Sequence, residues 1–168
     1  MNYFQKHILP FQNKLYRFAL RIVGTPEEAE DVVQEVFLKL WRQRQQWPSI
    51  QNMEAWSMRL TKNLSIDHLR RGGRKQESLE KVMYTPSKHP TPDQLTESKD
   101  CVKQIKLYME QLPENQRLVI HLRDIEELSY QEISDVLEMP MSQVKTNLFR
   151  GRTALRNLLV KTEWYEQK

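Results

Sequence analysis

Residues 128–159, LSYQEISDVLEMPMSQVKTNLFRGRTALRNLL, describe two short helices with an enforced break between them, and this pattern constrains the chain more than any other. Ser129 followed three residues later by Glu132 is a capping-box pattern, in which each side chain satisfies an N–H left orphaned at a helix start, so a helix is expected from Tyr130. Ile133, Val136 and Leu137 form its apolar stripe. Glu138, Met139 and Pro140 then interrupt it, because proline lacks the N–H and disfavours a helical residue before it. A second helix is expected at or just after Pro140, with Val144, Leu148, Leu155 and Leu159 inward and Gly151 on the same side, where a close approach is possible. Its outer stripe is Gln143, Thr146, Asn147 and Arg150, at helical spacing.

That outer stripe suits the edges of base pairs. Asparagine and glutamine pair bidentately with adenine, arginine with guanine, and a threonine methyl can meet a thymine methyl. Ser142, Lys145 and Arg152 are placed to hold flanking phosphates. An ordinary amphipathic hairpin satisfies the same periodicity, so the rest of the chain has to decide between the two readings.

The 168 residues suffice for one domain or two small ones. Glycine is scarce, with 4 residues, and no run of β-branched residues alternates with polar ones, so helix should dominate. The net charge of +4 is mild but segregated. Five acids and no base lie between Glu27 and Glu35; six bases against one acid lie between Arg59 and Lys75; five bases and no acid lie between Lys145 and Lys161.

The single cysteine, Cys101, excludes an internal disulfide or a cysteine-cluster metal site, and its spacing from Ile105 suggests a small core residue in a reducing compartment. No signal-peptide core and no run of eighteen apolar residues occurs, so the expectation is a soluble, cytoplasmic chain without direct membrane insertion. His7, His68, His89 and His121 form no pair at ligand spacing on one expected helix, and no phosphate-binding loop or nucleophile elbow is present. The chain is therefore expected to use no cofactor, bind no metal or small-molecule substrate and catalyse no reaction.

Helical periodicity lapses from Gln76, and Pro86, Pro90 and Pro92 follow within a short span. Residues 1–75 are thus expected to form one helical domain, 76–97 a flexible linker and 98–168 a second domain. In the first domain, Phe11, Leu15, Phe18 and Ile22 mark a helix ending near Gly24. Thr25, Pro26 and Glu28 mark the start of the next, by cap, first-position proline and capping box. Its buried stripe is Ala29, Val33, Val36, Phe37 and Leu40; Asp31, Gln34, Glu35 and Leu38 line the opposite face, which ends near Trp41. An acidic face tipped with leucine and tryptophan fits a basic, partly apolar protein partner, although a merely solvated face has the same composition.

After a break containing Trp47, Asn52 can cap a third helix running to about Arg71. Met53, Trp56, Leu60 and Leu64 give it a core stripe, and Arg59, Lys62, Asn63, Ile66 and Arg70 share another face with Asp67 beside it. Cations, an amide and a nearby aromatic are the equipment of single-strand binding, and equally of a basic helix with core tryptophans. In the second domain, helices are expected at about 98–111, with Cys101, Ile105, Tyr108 and Leu112 inward, and from Pro113 to about Ile125.

Taken in order, DVVQEVFLKLW, NLSIDHLRR, the tether, LPENQRLVIHLRDIEELSYQEI and VKTNLFRGRTALR resemble the bacterial RNA polymerase sigma factors of the sigma-70 family, extracytoplasmic-function (ECF) group. The resemblance implies an all-α fold of two domains, sigma region 2 and a region 4 helix-turn-helix. It implies that Asp31, Gln34, Glu35, Leu38 and Trp41 dock on core RNA polymerase. Trp47, Asn52, Arg59, Lys62, Asn63, Asp67, Arg70 and Arg71 would serve the melted −10 element, with Asn63 and Asp67 beside the separated strand. Ser142, Gln143, Lys145, Thr146, Asn147, Arg150 and Arg152 would serve the −35 element in duplex promoter DNA. An anti-sigma factor is implied as a further partner. The chain departs from the family where Glu138 stands for a usual glycine and Pro140 for a serine or threonine cap. A stand-alone helix-turn-helix regulator is the competing expectation, and it calls for an effector or dimer domain in the first half.

Overall fold

In the computed structural model, which describes residues 3–72 and 97–166, every regular element is helical. The first half holds α1 (Tyr3–His7), a 3₁₀ turn (Leu9–Phe11), α2 (Gln12–Val23), α3 (Pro26–Arg42), a 3₁₀ segment (Arg44–Ser49) and α4 (Met53–Arg71). The second holds α5 (Glu97–Glu110), α6 (Glu114–Ile120), a π-helical turn (His121–Ile125), α7 (Tyr130–Leu137) and α8 (Met141–Glu166). The expected all-α, two-domain architecture is observed. The prolines expected to mark a linker, and the side chain of Cys101, lie outside the described residues.

Helix starts follow the local chemistry. The Thr25 hydroxyl accepts from the Glu28 N–H at 3.4 Å and donates to its carboxylate at 2.8 Å, with Pro26 opening α3. Asn52 caps α4 through a 2.9 Å bond from the Ala55 N–H. At α7 the capping box is complete: Glu132 N–H donates to the Ser129 hydroxyl and Ser129 N–H to the Glu132 carboxylate, at 3.2 and 2.7 Å. A cap of this kind is worth about 1 kcal/mol. Gly24 ends α2 with φ 92°, a left-handed value that glycine takes without steric penalty.

Packing adds the larger share. Leu15 and Phe18 of α2, Val32, Val36 and Leu40 of α3, and Met58 of α4 are fully buried together, each contributing roughly 1.5–3 kcal/mol of burial. In the second half, Val119 and Leu122 pack with Ile133, Val136, Val144 and Leu148. Gly151 lies so close to α6 that an added Cβ would sit 2.6 Å from Ile120 Cδ1 and 3.2 Å from Gln116 Cβ, which realises the expected close approach.

Three expectations need correction. Ile105, expected inward on α5, is 36% exposed; among the described residues of that helix Met109 is the buried one, while Leu112, expected inward, is buried just past the helix end. The helix from Pro113 does not run uniformly to Ile125: it gives way at His121 to a π turn closed by Glu126 N–H to the His121 carbonyl. Finally, α4 has no single core stripe. Besides Met53 and Leu64 it buries Ser57, Met58, Thr61, Lys62 and Ser65, because α2 and α3 cover one side of it and α7 the other. Ser57 and Thr61 satisfy their hydroxyls on the carbonyls of Met53 and Ser57, one turn back.

Candidate functional site

Three surfaces carry the residues singled out by the sequence. On α3, Asp31, Gln34 and Leu38 are exposed and Glu35 half-buried, with Trp41 exposed at the helix end. Leu38 and Trp41 do not stand alone. Phe4 of α1 and Phe37 join them and Gln34 around a shallow apolar hollow, with Phe4 edge-on to Phe37 at 5.5 Å and to Trp41 at 6.1 Å. Sequence reasoning missed Phe4, since a five-residue helix has too few turns to show periodicity, and it assigned Phe37 wholly to the core. Acids flank the hollow, so a partner must bring both apolar side chains and positive charge.

The second surface is α4 with the 3₁₀ segment before it. Arg59, Asn63, Arg70 and Arg71 are exposed and Asp67 half-buried. Arg70 lies 3.8 Å from Asp67, and Arg71 reaches back 3.5 Å to Glu35, tying this surface to the first. Trp47 is buried: Tyr3 stacks on it at 5.0 Å, and Phe4 and Trp41 close around it. Its indole therefore shapes the wall of the region and offers no open platform here. Lys62 is also buried, its Nζ 2.8 Å from Glu138 Oε2 of the α7–α8 turn. Asn52, besides capping α4, donates from Nδ2 to Glu132 Oε1 at 2.7 Å.

The third surface is the outer face of α8. Ser142, Gln143, Lys145, Thr146 and Arg150 are exposed and Asn147 is half-buried. Thr146 donates its hydroxyl to the Ser142 carbonyl at 2.9 Å, which spends its polar group within the helix. Asn147 Nδ2 donates to the Gln143 carbonyl at 2.9 Å, so its Oδ1 remains to accept. Arg152 is paired with Asp124. Beside this face Tyr130, Lys145, Leu148, Phe149, Arg152 and Arg156 line a hollow, with Arg123 5.0 Å and Lys145 5.9 Å from the centre of the Tyr130 ring. Phe149, 72% exposed, and Arg156 were not singled out from sequence, although their spacing from Lys145 and Arg152 along one helical stripe was a usable signal.

The turn before α8 accounts for both departures noted in the sequence. Glu138 adopts φ 55° and ψ 42°, the left-handed cap that glycine usually fills, and its N–H bonds the Ser134 carbonyl. Pro140 precedes the first turn, and Gln143 and Val144 donate to its carbonyl, so α8 starts without a side-chain cap from this position. Where α2 meets the π turn, Glu126 is fully buried, taking a bidentate pair from Arg17 at 2.8 and 2.6 Å and lying 3.3 Å from His121 Nε2. Burial opposes ionisation of Glu126, but the nearby His121 and the bidentate Arg17 pair outweigh it and hold the carboxyl at about 2.

The family description Sigma-70 region 2 matches residues 8–75, and Sigma-70, region 4 matches residues 103–155. The chain is 35% identical over 156 residues to the ECF RNA polymerase sigma factor SigE of Mycolicibacterium smegmatis, covering 89% of this chain and 58% of that one. It is 30% identical over 158 residues to the ECF RNA polymerase sigma factor SigW of Bacillus subtilis, covering 89% and 84%. In fold it is similar to the sigma factor RpoE solved with the anti-sigma factor NepR from Bartonella quintana, with a TM-score of 0.72 and 24% identity over 93% of this chain and 96% of that one. It is likewise similar to CnrH solved with the cytosolic domain of CnrY, with a TM-score of 0.68 and 19% identity over 94% and 88%. The family descriptions matched by the two helical halves place the chain in the sigma-70 class. The chain belongs to the ECF group of that family.

Proposed function

We propose that this chain is a promoter-specificity subunit of RNA polymerase. The α3 face of Asp31, Gln34, Glu35, Leu38 and Trp41, extended by Phe4 and Phe37, docks on core enzyme. The α8 stripe of Gln143, Thr146, Asn147 and Arg150 reads the −35 element as duplex, with Ser142, Lys145 and Arg152 on the backbone. The α4 surface holds the −10 element after melting, with Asn63 and Asp67 beside the separated strand and Arg59, Lys62, Arg70 and Arg71 on phosphates. The chain itself catalyses nothing; its DNA contacts offset the few kcal/mol needed to extrude each base.

The observation that carries this reading is the division of one chain into three surfaces of different chemistry, in the order of the two matched sigma regions. An acidic apolar face suits protein, an amide-and-cation helix suits an unpaired strand, and a base-reading stripe suits the major groove. Region 2 occupies the first half, where a stand-alone regulator would need an effector domain. An anti-sigma protein is a further proposed partner, supported by the fold likeness to sigma factors solved with such proteins. Among the described residues no helix is long and apolar enough to cross a membrane. The test is co-purification: the chain should capture core RNA polymerase, and failure to do so at micromolar concentrations would refute the proposal.

A further inference from the structure

Two pairs of basic side chains stand along the seam between α2 and the segment formed by α6 and the π turn: Arg17 and Arg21 on one side, Arg117 and His121 on the other, each pair four residues apart. One end of the seam is satisfied. Glu126 is fully buried between Arg17 and His121, accepting from the first at 2.8 and 2.6 Å and lying 3.3 Å from the second. The other end is different. Arg21 Nε and Nη2 are enclosed, and among the described residues no group accepts a hydrogen bond from them. Arg117 is 3% exposed; its Nη1 donates to the Glu110 carbonyl at 3.4 Å, and Glu114 and Glu110 favour its charged form. Around Arg21 the charge of Arg117 outweighs that of Glu110, and together with burial, the larger effect, it lowers the Arg21 pKa to about 10. Arg21 is still charged at neutral pH. The seam therefore holds a guanidinium whose enclosed donors lack an acceptor and whose dominant charged neighbour has the same sign, an arrangement that is costly without an anion.

We propose that Arg21, with Arg117 beside it, forms a binding site for a phosphate oxyanion, either free phosphate or the phosphate group of a small metabolite, which bridges α2 to α6. The guanidinium fork matches the paired oxygens of a phosphate, and two arginines present two such forks. Charge points the same way. Glu126 shows what one carboxylate accomplishes here, serving one arginine and one histidine, whereas two arginines call for the second negative charge that a phosphate carries. Access is available too, because Arg21 is half-buried rather than sealed, so an ion reaches its guanidinium from solvent without opening the core. The site shares no residue with the three surfaces described above and stands independently of the functional reading.

The test compares thermal unfolding of the full chain in inorganic phosphate and in chloride, at equal pH and ionic strength, for the wild type, Arg21→Met, Arg21→Lys and Arg156→Met. Arg156 lies on the basic α8 and controls for phosphate drawn to that helix. Phosphate at a concentration about tenfold above its dissociation constant should raise the wild-type melting temperature by about 4 °C, and that of Arg156→Met equally. Arg21→Met should lose the shift. In chloride it should be at least as stable as the wild type, since methionine keeps an apolar stem and removes the unpaired charge, so the order of the two chains reverses with the anion. Arg21→Lys keeps the charge but not the fork and should retain less than about half of the shift. Calorimetric titration with glycerol phosphate identifies the source: tighter binding than inorganic phosphate makes the ligand a phosphorylated metabolite, and weaker binding makes it the free ion. An equal phosphate shift in the wild type and Arg21→Met, or no wild-type shift at about 50 mM phosphate, would overturn the inference. So would an Arg21→Met chain that is less stable than the wild type by the same amount in both salts. Capture of core polymerase by the same preparations reports on the functional proposal alone, so either reading can fail without the other.

Discussion

Lys62 Nζ on α4 sits 2.8 Å from Glu138 Oε2 in the turn of the helix-turn-helix, joining two residues 76 positions apart. The lysine side chain is 10% exposed and the glutamate 55%, so half of the pair is desolvated and half is not. Full burial would make the desolvation penalty dominate, and full exposure would leave almost nothing. A double-mutant cycle with Lys62→Met and Glu138→Gln, read by urea unfolding of the whole chain, should give a coupling energy of about 1 kcal/mol that shrinks as salt is raised. Zero coupling would show that the two halves do not meet this way in solution.

The Glu126 site should appear as acid resistance. Its pKa in the folded chain, about 2, lies below the ordinary glutamate value of 4.5, so its contribution is complete above the ordinary value and is lost as pH falls from 4.5 toward about 2. Arg17→Gln removes one of the groups that hold the proton off. We expect stability in the variant to begin its acid decline at higher pH than in the wild type, measured by urea unfolding across that window. Superimposable pH profiles would contradict the assigned role of Arg17.

Gly151 is constrained by Ile120 and Gln116 rather than by its backbone. Gly151→Val would place a branched side chain where even a Cβ is too close, and overpacking of this kind costs about 1–3 kcal/mol. Thermal unfolding should show the loss. Gly151→Ala should be milder, because the nearest atom is the flexible end of Ile120 and alanine regains about 1 kcal/mol of helix propensity.

The local elements were legible because their signals are local. Thr25, Pro26, Asn52, Ser129 and Glu132 each declared a helix start, and each start was found where the residues placed it. Whether Trp47 and Lys62 were accessible could not be read, since Tyr3 and Phe4 cover the first and Glu138 the second. Such contacts join parts of the chain far apart in sequence and leave no trace in a helical repeat. The π turn was hidden for a different reason: His121 to Ile125 have ordinary helical composition, and the burial of the polar His121 and Glu126 that accompanies the wider spiral is a tertiary contact. Glu138 was noticed as an anomaly from its position alone, and its left-handed backbone with a Lys62 partner gives that anomaly a physical content.

Docking on polymerase should depend on both halves of the α3 face. Glu35→Arg with Leu38→Ala removes an acid and an apolar tip that is 58% exposed, so the fold should be unaffected. We expect core-polymerase affinity to fall at least about tenfold, equivalent to about 1.4 kcal/mol, in a pull-down or titration. Phe4→Ala should weaken it as well, because Phe4 completes the apolar hollow. Unchanged binding in the double variant would assign docking to another surface.

Sequencing the 5′ ends of transcripts made on genomic DNA by purified core polymerase, with and without this chain, addresses the whole proposal at once. With the chain, initiation should concentrate at a small set of sites sharing an upstream and a downstream element. Asn63→Ala should lower that output about tenfold while leaving duplex binding within about twofold, as expected for loss of one base contact made only after melting. Transcripts that start at the same places with or without the chain would contradict the account.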